Sequence, residues 1–517
     1  MAPDWKITVF EANDKTGGYI RSQPTKVADS SSTVFEKGPR TLRGVSEGTL
    51  ILLDLVAKFG KQQSILGVHK EAAANKKYLL SPSKARQLVQ VPDDFTSLRK
   101  FLTNSIGRSI PMALGKEFFT LRRGHGEETV EQFFNRHYGK GLSDNLISAI
   151  FHGVYAADAG KLSINAVMPS MVKLESKSAS IGRYTVWKAL FNSKKSQESA
   201  PPIKLSANLR KYQDLFSPKL NLLNMSEFLK SFPMTLLQGG LETLPQCIAN
   251  NLPKNVEVVY NSKISSIKPL ASGQVALTFE DGNTERFDHL RSTINTRALS
   301  SLIDSKPMKD VFSQVNYSSV SLANVYIPKK NILPVSGFGF LVPKASTDKA
   351  KLLGVIFDSD VEHSARPLFS LESVRKELTS KTVSTPDKLK QLAEDVFHSQ
   401  PLNTRPYTKV TFMLGGHMYD GIKTFPKEHE IKKIVEDTFG SILHTPLSDY
   451  QLEVGLIENA IPQYNVGYLD LKAQAWKLAD SEFHGALSFG GMTFADGVGV
   501  PDCVMSSFKD AVKLAHL

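Results

Sequence analysis

Three groups of residues in this 517-residue chain have the types and spacing that chemistry uses. The first is Glu11, which ends the short apolar run "KITVFE" and is followed by the pair Gly17-Gly18. A carboxylate at a strand end can accept hydrogen bonds from ribose hydroxyls, and a glycine turn lets backbone N–H groups approach a phosphate. The same pattern also suits an ordinary buried strand that ends in a polar turn. The second is Arg40 in "FEKGPRT" (35–41), a guanidinium able to grip a carboxylate through two parallel hydrogen bonds. The third is the tail, "GALSFGGMTFADGVGVPDCVMSSFKDAVKLA" (485–515), which reads as strand, Gly-rich turn and helix. Helix N–H groups there can meet a phosphate or a cofactor ring.

Other chemistries find no support. The twelve histidines show no metal-ligand spacing, and Cys247 and Cys503 are too few for a zinc cluster or a disulfide framework. No Ser/His/Asp or paired-carboxylate motif is present. The net charge of +12 favours an anionic partner: a membrane face, a nucleic acid or a carboxylate substrate. Solvated surface lysines would give the same number. Nucleic acid is set aside, because no basic run is interleaved with aromatics in a binding module. No apolar stretch approaches the length of a transmembrane helix.

The elements that must position these residues follow from periodicity. "EGTLILLDLVAKFG" (47–60) has helical spacing and a glycine stop, and about 70–230 is mainly helical, interrupted by a polar surface loop at 192–206. From 236 the texture turns to short strands, with Asp281-Gly282 marking a hairpin. Residues 300–450 mix strands and helices. The order is sheet, helical insert, sheet, mixed insert, sheet. This predicts an α/β (mixed α+β) fold whose nucleotide-binding domain is assembled from discontinuous segments. "GHGEET" (124–129) follows no strand and "GFGFLVP" (337–343) leads into no helix, so neither reads as a phosphate turn.

At this point a resemblance becomes specific. "GGYIRS" (17–22), "FEKGPRTLR" (35–43), "GVYAADAGKLSINAVMPSMVKLE" (153–175), "GGLETLP" (239–245), "GFGFLVP", "LGVIFDS" (353–359), "MLGG" (413–416) and "IPQYNVGY" (461–468) occur in the order of one family. The chain resembles the protoporphyrinogen oxidases, most of all their mitochondrial, fungal form. It departs from them in lacking the strand and Gly-x-Gly-x-x-Gly turn that precede Glu11 in the family, which reads as a truncated or mis-started gene model. "STINT" (292–296) and the long Gly-rich turn at 490–497 depart less.

The resemblance implies a Rossmann-like FAD-binding domain (1–65, 236–300 and 450–517), a helical membrane-associating domain (66–235) and a mixed-sheet substrate domain (301–449). It implies FAD-dependent oxidation of protoporphyrinogen IX to protoporphyrin IX in haem biosynthesis, with O2 as acceptor and H2O2 released. No side chain is implied as catalytic, since hydride passes to flavin N5. Glu11 and Ala12 would face the adenosine ribose, Gly17 and Gly18 the flavin chain, and Ile264 the adenine. Tyr19, Gly38, Pro39, Arg40 and Thr41 would border the flavin and the active site, with Met492, Val498, Gly499 and Val500 on its pyrimidine side. Arg40 would hold a propionate of the substrate, and Gly339, Leu341 and Met413 would lie on the macrocycle. Peripheral contact with the inner mitochondrial membrane is expected through the helices and lysines of 66–235 ("HKEAAANKKYLL", "LRRGHG"). Ferrochelatase and a second copy of the chain are expected partners, and nucleic acid is not. The competing readings are another flavin amine oxidase-type enzyme and a catalytically dead relative that binds porphyrin.

Overall fold

Asn316–Ile327 mixes apolar residues with serines and asparagines yet is buried along nearly all of its length, as expected of a strand covered on both faces. It lies next to the edge of a seven-stranded sheet in the computed structural model, which describes residues 4–27, 31–83, 86–120, 126–178, 180, 182 and 204–515. The sheet order is Gln451–Gln463, Asn316–Ile327, Thr408–Gly416, Leu352–Ile356, Gly339–Leu341, Lys77–Leu80 and Leu88–Gln90. All neighbours are antiparallel except Gly339–Leu341 and Lys77–Leu80. The helix Glu428–Ser441 places Ile431, Val435 and Phe439, one turn apart, in a single core with Ala323, Val325, Val355 and Phe412. That helix covers one sheet face and leaves the other to the site.

The sheet takes strands from all three expected domains, since Lys77–Leu80 and Leu88–Gln90 lie in the stretch read as helical and Gln451–Gln463 in the tail. A run as short as "KYLL" has no periodicity that separates strand from helix, so only its partners decide. Elsewhere the stretch is helical, with Phe95–Thr103, Ile110–Phe118, Val130–Tyr138, Ser148–Tyr155 and Ala207–Phe216 among its helices. Residues 192–203 of the surface loop, and 121–125 of "LRRGHG", lie outside the described residues.

Distant segments meet around Glu11 and the tail, as the discontinuous pattern predicts. Ile7–Phe10 pairs in parallel with Val256–Val259, and Leu290–Ser292 with Leu487–Phe489, as two separate pairs. The Asp281-Gly282 hairpin joins Val275–Phe279 to Thr284–Phe287 in a three-stranded sheet with Ile264–Pro269. The helix Glu47–Lys58 is capped by Ser46, which accepts from the Thr49 N–H. Its Gly48 lies so close to the tail helix Val500–Leu514 that an added Cβ would stand 1.9 Å from the Pro501 carbonyl oxygen. Only glycine lets these helices approach so closely.

Candidate active site

Residues paired across neighbouring strands point to the same face of a sheet. The pairing runs Lys77, Gly339, Ile356, Thr411, Asn324, Glu453 in one row across six strands. The next row runs Leu79, Leu341, Gly354, Met413, Leu322, Gly455. Gly339, Leu341 and Met413, far apart in sequence, thus share the face left open by the helix Glu428–Ser441. The second row is wholly apolar, with two glycines where a side chain would stand up from the floor. A Cβ on Gly339 (φ +134°) would meet the Val355 carbonyl oxygen at 2.0 Å, so the sheet closes here only around glycine.

The segment from Glu36 to Arg43 crosses the polar row and is pinned to it. Asn324 Nδ2 donates to the Glu36 carbonyl (3.4 Å), and Lys37 meets Glu453 at 2.9 Å. Arg40 donates to Asp358 Oδ1 at 2.7 Å, while Thr411 Oγ1 donates to the other oxygen of Asp358 at 2.7 Å. The Glu36 carboxylate accepts from Ser22 Oγ and the Leu241 N–H; burial nonetheless pushes its pKa up. Gly38 sits against the Tyr19 carbonyl, and the Tyr19 hydroxyl donates to the Asn459 carbonyl (3.3 Å). Tyr19 and the segment Gly38–Thr41 therefore lie side by side. Arg40 itself is only 9% exposed, and its charge is already answered by the protein.

A wall rises at the other end of the floor. On the helix Ser148–Tyr155, a Cβ on Gly153 would stand 2.9 Å from Leu341 Cδ2. His152 Nδ1 donates to the Val342 carbonyl at 2.7 Å, and its ring stacks on His417. Burial, with the His417 charge second, pushes the His152 pKa down to about 4, so it stands neutral at pH 7. The wall supplies a fixed ring and no ready proton.

Toward the N-terminal strand the groups suit a nucleotide. The Glu11 N–H donates to the Val259 carbonyl, and the Glu11 carbonyl accepts from Ser262, which brings Glu11 and the Ile264 strand together. Glu11 Oε1 accepts from both nitrogens of Asn13; Oε2 has no partner among the described residues. Gly17 and Gly18 both have positive φ, and a Cβ on Gly18 would meet nothing, so this turn opens outward. Arg21 holds the turn by donating to the carbonyls of Thr16 (2.6 Å) and Lys15 (2.9 Å). Glu242 holds Lys15 (2.7 Å) and the Ser22 N–H (2.7 Å). Burial opposes Glu242 ionisation, but the hydrogen bonds from Lys15 and Ser22 outweigh it and keep the carboxyl below its usual range. In the tail, the Gly490 N–H donates to the Ser292 carbonyl and Tyr464 donates to the Met492 carbonyl. Val498 packs with Tyr155 and Tyr464, and Val500 packs with Ile20 on one core. Gly499 opens the helix Val500–Leu514, its N–H donating to Asp502 Oδ2 at 3.2 Å.

A model of the family described as flavin containing amine oxidoreductase matches residues 2–392. Over its full length the chain is 32% identical to the protoporphyrinogen oxidase of Saccharomyces cerevisiae, and it covers 94% of that protein. The chain belongs to the protoporphyrinogen oxidases. A Nicotiana tabacum relative, named as the mitochondrial protoporphyrinogen oxidase, is 26% identical over 80% of this chain and 82% of its own length. An Exiguobacterium protein, solved as a candidate protoporphyrinogen oxidase, superposes with a TM-score of 0.67 at 17% identity, covering 99% of this chain and 93% of that one. The fold is thus that of the flavin oxidoreductases, and the chain is an oxidoreductase with FAD as its cofactor.

The residues present fit that cofactor. The unpartnered Glu11 oxygen suits the ribose and the open Gly18 turn suits the flavin chain, while Val500, packed on one core with Ile20, brings the tail helix to that turn. Sequence reasoning missed the level glycines Gly354 and Gly455, the wall residue His152, and Asp358. Gly354 and Asp358 lie inside "LGVIFDS", whose match to the family was the one signal available.

Proposed function

We propose that this chain oxidises protoporphyrinogen IX to protoporphyrin IX in haem biosynthesis, with FAD as cofactor and O2 as electron acceptor, releasing H2O2. The observation that carries the reading is the floor: an apolar row of Leu79, Leu341, Gly354, Met413, Leu322 and Gly455 beneath the segment that borders the flavin. A flat, apolar macrocycle needs such a surface, soft where Met413 sits and level where the glycines sit. FAD, when bound, supplies the hydride acceptor. The protein's own part is to orient the ring and exclude water. The neutral His152 and the spoken-for Asp358 keep acid and base away from reactive carbons.

This reading assigns FAD to 1–65, 236–300 and 450–517 and the membrane to the helices of 66–235, while the substrate floor draws on 301–449 together with Leu79 and Gly455. The chain would sit at the inner mitochondrial membrane as a peripheral protein. The mitochondrial name of the tobacco relative supports the compartment. Among the described residues no helix is long and apolar enough to cross a membrane. Ferrochelatase, as receiver of the greasy product, and a second copy of the chain are the partners this reading expects.

The test is a purified chain supplied with FAD and then with protoporphyrinogen IX. Flavin absorbance in the protein fraction, growth of porphyrin fluorescence and matching H2O2 are the expected result. Porphyrin binding with flavin bound and no fluorescence growth would overturn it.

A further inference from the structure

The parallel strands Leu290–Ser292 and Leu487–Phe489 end side by side, and in parallel sheets ligands bind beyond the carboxyl ends of the strands. The chain leaves the second strand through Gly490 and Gly491. The Gly490 N–H still serves the pairing, donating to the Ser292 carbonyl at 2.8 Å. The next three N–H groups, of Gly491, Met492 and Thr493, have no hydrogen-bond partner among the described residues. Gly491 has φ +72°, and a Cβ there would stand 2.6 Å from the Thr293 carbonyl oxygen, so only glycine fits this turn. Successive free backbone donors in a turn make a seat for an anion.

Two tyrosines brace the turn from behind. Tyr464 and Tyr468 stack, with ring centroids 4.3 Å apart and 15° between their planes. Tyr464 donates to the Met492 carbonyl and Tyr468 to the Thr493 carbonyl. Both are buried, and burial pushes both phenol pKa values up, so each stays a donor at physiological pH. Across a trans peptide, a carbonyl and the N–H that follows it point opposite ways. Holding the Met492 carbonyl therefore aims the Thr493 N–H away from the tyrosines. Holding the Thr493 carbonyl fixes the Phe494 N–H, which closes the turn on the Gly491 carbonyl at 3.1 Å. Tyr317 pins the same residue again. Its hydroxyl shares a hydrogen bond with Thr493 Oγ1 (2.8 Å) and accepts from the Thr296 N–H (2.8 Å).

We propose that Tyr464 and Tyr468 are positioning residues that aim the Thr493 N–H at an anionic part of FAD, its diphosphate or its reduced pyrimidine. The proposal rests on the reading of 450–517 as part of the FAD domain. Neither phenol touches the cofactor; each acts through the carbonyl it holds.

The experiment strips the full chain of flavin, titrates FAD back by flavin fluorescence, and measures the midpoint potential of the bound flavin. Tyr464→Phe and Tyr468→Phe keep the stack and the edge contact of Tyr155 on Tyr464, and remove one hydroxyl each. Either variant carries the test should the other fail to fold. With the diphosphate as acceptor, the Kd for FAD rises roughly tenfold, the scale of one hydrogen bond to a charged group, and the potential stays put. With the reduced pyrimidine as acceptor, the potential falls by about 30 mV, the two-electron equivalent of tenfold. Tyr212→Phe, which removes a buried hydroxyl bonded to Asp54, should leave both quantities at wild-type values. Wild-type Kd and potential in the Tyr464 and Tyr468 variants would overturn the brace and leave the FAD domain standing. An equal change in Tyr212→Phe would also overturn it, by showing general loosening. Wild type unable to rebind FAD would overturn the domain reading and the brace with it.

Discussion

Arg40 is buried with Asp358, and removing one partner of a buried pair costs about 3–5 kcal/mol, because the other charge is stranded. Arg40→Met should therefore lower the unfolding free energy measured in urea by an amount of that order, and adding Asp358→Asn should recover part of it. Unchanged stability in Arg40→Met would show that the pair does not hold the segment to the sheet. The sequence shows that an arginine follows Gly38-Pro39. It cannot show that an aspartate 318 residues away takes up the charge. Gly339, Leu341 and Met413 were legible only through resemblance, since apolar residues on a strand look the same whether they face a core or a ligand. Register is what separates the two.

The helix Ser148–Tyr155 turns such placements into a pH response. His152 is buried, with a folded pKa of about 4 against an ordinary 6.5. Between those values the unfolded chain binds a proton that the folded chain refuses, so stability rises with pH through that window and falls on acidification. The full contribution, present above pH 6.5 and lost as pH drops toward 4, is about 3 kcal/mol. His152→Asn keeps a donor for the Val342 carbonyl and removes the titration. Urea unfolding from pH 7 to pH 4.5 should show a shallower loss of stability in this variant. His69, His137 and His417 shift in the same direction, so the slope should shrink and not vanish. Identical slopes would contradict the burial of His152. At this scale the sequence served unevenly. The helical spacing of 129–156 was plain, whereas Lys77–Leu80 became a strand through its partners on either side, Gly339–Leu341 and Leu88–Gln90.

For the molecule as a whole, the sheet–insert–sheet order was readable, but the tight weave of its parts was not. One sheet recruits 77–90, 316–416 and 451–463, and no local signal announces that closure. The net charge of +12 likewise had no address in the sequence. The lysines of "HKEAAANKKYLL" lead into the sheet. A different surface gathers apolar and basic groups on the neighbouring helices Phe95–Thr103 and Ile110–Phe118. There Phe95, Met112 and Phe119 are 84%, 81% and 85% exposed, beside exposed Arg99, Lys100, Arg108 and Lys116. The only acid between 95 and 119 is Glu117, which is buried. Such a face suits an anionic leaflet, where each large apolar side chain contributes about 1.5–3 kcal/mol on burial and each cation about 1. Ile150 and Val154, on the helix Ser148–Tyr155, are exposed apolar residues as well. The full chain should therefore cosediment with vesicles containing an anionic phospholipid, and less with purely zwitterionic ones. Raised salt should weaken the binding. Phe95→Ser, Met112→Ser and Phe119→Ser combined should lower partitioning by at least roughly tenfold with an unchanged melting temperature, because the lost groups touch water and not core. A triple variant that still pellets like wild type would place the membrane contact on another face.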